Sequence, residues 1–84
     1  MASAEFCSLA TDAANGNFDF MNEAMVQALT QDPSLTDRQR QLVTGAVADA
    51  VRQLSSGYSY SNDLLVAAVN DVCGLRLTPV TMQQ

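Results

Sequence analysis

The sequence predicts an all-α protein: a compact bundle of four short helices over residues 1–77, followed by an extended or flexible C-terminal tail over residues 78–84. Apolar residues recur at spacings of three and four in four separate segments. Each of those segments is bounded by residues that start or stop helices. A chain of 84 residues allows one domain, and one this short buries only roughly 60–65% of its extended surface. Help from a second subunit or a cross-link is therefore plausible on size alone.

The first segment runs from Ser3 to Ala14, with Phe6, Leu9, Ala10 and Ala13 on one stripe. Asn15-Gly16-Asn17 ends it, since Gly16 can take the positive φ of a helix C-terminus. A second helix is read from Phe18 to Gln31, with Phe18, Met21, Met25, Ala28 and Leu29 inward, and Asp32-Pro33-Ser34 is its stop. The third has the strongest start signal: Thr36 followed three residues later by Gln39 fits a capping box. It is read to Leu54, with Leu42, Val43, Ala46, Val47, Ala50, Val51 and Leu54 forming a band wide enough to be contacted from two sides. Gly45 inside it costs about 1 kcal/mol relative to Ala, which suggests the close approach of another helix. After a Ser-rich loop, a fourth helix is read from Ser61 or Asn62 to Cys73, with Leu64, Leu65, Ala68, Val69 and Val72 inward. Gly74 ends it, and from Leu75 onward the chain around Pro79 reads as extended.

Composition removes most enzyme chemistries. There is no Lys, His or Trp, so no imidazole base, His-ligated zinc, Schiff base or P-loop lysine can be built. No cofactor and no metal is expected. Asp12 and Glu23 stand where positions 1 and 12 of an EF-hand loop would be, with Asp19 between them. The ligand positions fall on Ala14, Gly16 and Phe20, and the turn glycine is Asn17. The carboxylates Asp19 and Glu23, four apart on one helix, do not make a hydrolytic cleft. The expectation is a protein that is not an enzyme.

Charged residues are only 15% of the chain, and Ser, Thr, Asn and Gln supply its polarity. Such a surface tolerates self-association. The formal charge of −5 is lopsided: every Arg lies at or after position 38, whereas Glu5, Asp12, Asp19, Glu23, Asp32 and Asp37 precede it. No apolar run spans a bilayer, and the N-terminus lacks the basic start of a secretory signal, so a cytoplasmic location is expected. Cys7 and Cys73 are then expected as reduced, small, buried hydrophobes; a bridge between them would close most of the chain and contribute roughly 4 kcal/mol.

The leading functional expectation is a small regulatory protein–protein interaction module that forms a homodimer through helix 3 and the tail, with Val43, Val47, Tyr58, Tyr60, Val80 and Met82 as candidate contacts. Tyr is well suited to interfaces, and an extended apolar arm can lie in a neighbour's groove. The second is an acidic inhibitor or adaptor that docks helices 1 and 2, through Asp12, Asp19, Glu23 and Asp32, on a basic site of another protein. The third is a helix-turn-helix-like DNA binder reading bases with Arg38 and Arg40, opposed by the acidic balance and missing Lys. Nucleic acid and membrane are thus not expected as partners.

Overall fold

Helix α3, Asp37–Ser56, is the longest element of the bundle. The computed structural model describes residues 2–57, 60–79 and 81–82. Among these the remaining helices are α1, Ala4–Ala14; α2, Glu23–Thr30; and α4, Asp63–Cys73. Two short antiparallel strands, β1 at Tyr60–Ser61 and β2 at Thr81–Met82, pair Tyr60 with Met82 and Ser61 with Thr81. The all-α bundle predicted from periodicity is the fold.

Helix α3 starts where predicted: the Thr36 hydroxyl accepts from the Gln39 N–H and the Gln39 side chain accepts from the Thr36 N–H, a complete capping box. It ends at Ser56, two residues beyond the predicted end, and is closed by Gly57 in left-handed conformation. The face carrying Val43, Ala46, Val47 and Ala50 is buried and packs mainly against α4, which contributes Leu65, Val66, Ala68, Val69 and Val72. Phe6, Ala10, Ala13 and Ala14 of α1 cover the other side of α4. Leu64 departs from the predicted inward face of α4 and is exposed.

Helix α2 begins five residues later than predicted, and its register differs. Phe18 and Phe20 lie two apart in a non-helical segment and both turn inward, with ring centroids 4.9 Å apart and Phe20 in the core. The Asp19 carboxylate then accepts from the Met21 N–H, and Asn22 caps α2 by accepting from Ala24 and Met25. Starting there, α2 turns Val26, Leu29 and Thr30 to the protein, and Met21, Met25 and Ala28 face outward instead of inward.

Where α1 packs on α4, Cys7 and Cys73 are joined in a disulfide, with Cα atoms 5.8 Å apart. This corrects the expectation of reduced thiols: two half-buried cysteines on facing helices are brought within bonding reach by the same packing that builds the core. Oxidising compartments sustain such bonds, which weighs against the cytoplasmic location expected from the N-terminus. Among the described residues no helix is long and apolar enough to cross a membrane.

Side-chain amides tie the irregular segments down. Gln53 accepts from the Ser61 N–H and donates to the Ser61 carbonyl, so it pairs with β1 as a neighbouring strand would. Asn70 does the same for the chain after α4, bonding both the N–H and the carbonyl of Leu77. Buried Asn62 donates to the Ala14 carbonyl at 2.7 Å and so satisfies one of the free carbonyls at the end of α1.

Candidate functional site

Between α3 and α4 the surface opens into a groove of about 560 Å³. Its floor is made of small residues, Gly45 and Ala46 from α3 and Ala67 and Ala68 from α4. Leu42 and Leu64, 38% and 51% exposed, stand beside that floor as its two large apolar side chains. At one end Arg38 and Asp71 face each other at 4.0 Å across the two helices, both side chains more than half exposed. Each sits on the unfavourable end of its own helix dipole, a cation in the first turn of α3 and an anion in the last turn of α4.

Gly45 does not mark the close helix approach read from sequence: a Cβ built there meets nothing within 4 Å. It is an ordinary helical position, outside the left-handed region, and its missing side chain deepens the groove toward solvent. Leu42, Gly45, Leu64 and Ala67 were not singled out by sequence reasoning as surface residues. The available signal was the excess width of the apolar bands on α3 and α4, whose outermost members had nowhere to go inside so small a domain.

The predicted self-association residues are placed differently. Val43 and Val47, each 2% exposed, belong to the protomer's own core and are unavailable at its surface. Tyr60 is 4% exposed and anchors β1. Its hydroxyl has no hydrogen-bond partner among the described residues, and burial first, then the nearby Asp49 charge, pushes its pKa up. Met82 pairs through its backbone with Tyr60, so the predicted arm is engaged within its own chain. Tyr58 and Val80 lie outside the described residues.

The acidic residues divide into two groups. Asp12, Asp19 and Glu23 are exposed, at the end of α1, in the connection and in the first turn of α2. Asp32 is instead a structural residue of the α2–α3 turn: its carboxylate accepts from the Ser34 hydroxyl and from the Ser34 N–H at 2.8 Å. Those bonds, led by the hydroxyl and helped by Arg40, hold its pKa below the usual carboxylate range against the effect of burial. Arg40 donates to the Asp32 and Leu35 carbonyls and lies 3.6 Å from Asp37. Of the two candidate DNA-contacting residues, Arg40 therefore closes a turn and Arg38 faces Asp71. Among the described residues no three His, Cys, Asp or Glu side chains gather in a metal-binding group.

No family model, curated protein or solved structure matches the chain.

Proposed function

We propose that the protein is a non-enzymatic interaction module that self-associates as a dimer through the α3–α4 groove. The observation that carries this reading is the groove's own composition: two exposed leucines stand beside a floor of Gly45 and alanines. Under a two-fold axis the same patch serves both copies, so the leucines of one fill the hollow over Gly45 and Ala67 of the other. Arg38 and Asp71 fit the same symmetry, because each can exchange its exposed partner for the opposite charge on the second copy. Knob and hollow, cation and anion, are then both self-complementary. The low density of charge elsewhere on the surface offers little repulsion to oppose this.

Gly45→Lys tests it cleanly. Lys is a better helix former than Gly by several tenths of a kcal/mol and its Cβ enters open space, so folding is not compromised. Across the two-fold axis, however, it sets two like charges in an apolar contact. Sedimentation velocity at tens of micromolar is expected to give wild-type protein at twice the 9.0 kDa protomer mass and the variant at the protomer mass. A monomeric wild type, or a variant that dimerises equally well, contradicts the reading.

A further inference from the structure

We infer that the outer face of α2, with the segment leading into it, is a docking surface for a cationic amphipathic helix of another protein. This inference is independent of the dimer groove and uses a different face. Met21 is 67% exposed and Met25 42%, and Ala24 and Ala28 beside them are exposed as well. Within α2, Ala24, Met25 and Ala28 share one exposed face, and Met21 lies in the turn that leads into the helix. Only Val26, Leu29 and Thr30 attach α2 to the rest of the protein. An eight-residue helix thus carries an apolar stripe toward solvent as well as one toward the core.

Charge selects the partner. Asp37, Asp49 and Asp71 are matched by Arg40, Arg52 and Arg38, so the ion pairs among the described residues lie on α3 and α4. Glu5, Asp12, Asp19 and Glu23 take part in none of these pairs, and no Arg precedes position 38. Asp19 and Glu23 flank Met21 in sequence, and the Asp19 carboxylate also fixes the backbone at Met21. A flexible, polarisable methionine pair bordered by carboxylates suits a helix with an apolar face and Lys or Arg along its margins. A second copy of this chain does not suit it, since Asp19 and Glu23 would meet the same carboxylates. An anionic lipid surface is repelled for the same reason.

The test uses a labelled 18-residue peptide of Leu and Lys arranged with helical period, against the same composition scrambled to abolish its apolar face. By fluorescence anisotropy the full protein is expected to bind the amphipathic peptide, with M21Q/M25Q weakening it by roughly tenfold, equivalent to about 1.4 kcal/mol. D19N/E23Q is expected to weaken it and to reduce its dependence on salt. Both methionines are exposed, so M21Q/M25Q retains the wild-type far-ultraviolet circular dichroism. Equal binding of the scrambled peptide, equal affinity of M21Q/M25Q, or loss of dimer on sedimentation of M21Q/M25Q overturns the inference. That last result would make α2 a self-contact.

Discussion

Ser34 joins three elements through one hydroxyl. Its Oγ accepts from the Ser3 N–H just before α1 and donates to Asp32, which in turn sits in the α2–α3 turn held by Arg40. The Asp32 carboxyl is held below its unfolded value, about 3.9, so the folded state releases its proton more readily. The stability this contributes is fully present above the unfolded pKa and is lost as pH falls through the folded one. Ser34→Ala is therefore expected to be less stable than wild type at neutral pH, with the gap narrowing as urea unfolding is repeated at about pH 3 and below. A gap that stays constant would remove Asp32 as the origin. None of this was visible in Asp32-Pro33-Ser34 beyond a turn, because the partners of Ser34 and Arg40 are set by packing. The capping box at Thr36 was visible because both of its bonds lie within four residues.

At the scale of elements, the helices whose start signals are local were legible and the one whose start depends on long-range burial was not. α1, α3 and α4 fall within two residues of their predicted bounds. α2 does not, because Phe20 enters the core and Phe18 packs against it from a non-helical segment, which leaves Asn22 as the cap. The pair Phe18 and Phe20 follows period two rather than the helical period, so the helix starts later and Met21 and Met25 lie at the surface instead of in the core. The amide brackets were equally hidden, since the partners of Gln53 and Asn70 lie seven or eight residues away, outside their helices, and no local motif marks them. Asn70→Ala removes both bonds to Leu77 and is expected to raise the rate of proteolysis after Arg76 severalfold while leaving the bundle's helicity unchanged. An unchanged rate would mean that Leu77, half buried against the core, is held by apolar contact alone.

At the scale of the molecule, α1 is attached to the bundle by a small apolar face, by hydrogen bonds at its two ends to Ser34 and Asn62, and by one covalent bond. Cys7 and Cys73 are 66 positions apart, so the bridge removes loop entropy from nearly the whole unfolded chain, worth roughly 4 kcal/mol. For a domain whose total stability is of order 5–15 kcal/mol, that is a large share. The double variant C7S/C73S is expected to lose about that amount in urea unfolding at neutral pH. A loss below about 1 kcal/mol would show that the core suffices. The sequence displayed the pair of cysteines but not their bond, because cytoplasmic thiols were inferred from the N-terminus and the helix pairing was unknown. In the same way it displayed the broad apolar band on α3 without showing that Val43 and Val47 lie in the core while Leu42 and Gly45 line the surface groove. Self-association through that groove is tested most directly by isotope-filtered nuclear Overhauser spectroscopy on mixed labelled and unlabelled protein. Intermolecular contacts are expected between the methyls of Leu42 and Leu64 and the Gly45 and Ala67 protons of the second copy. Intermolecular contacts confined to another face, or none at concentrations of several hundred micromolar, would contradict it.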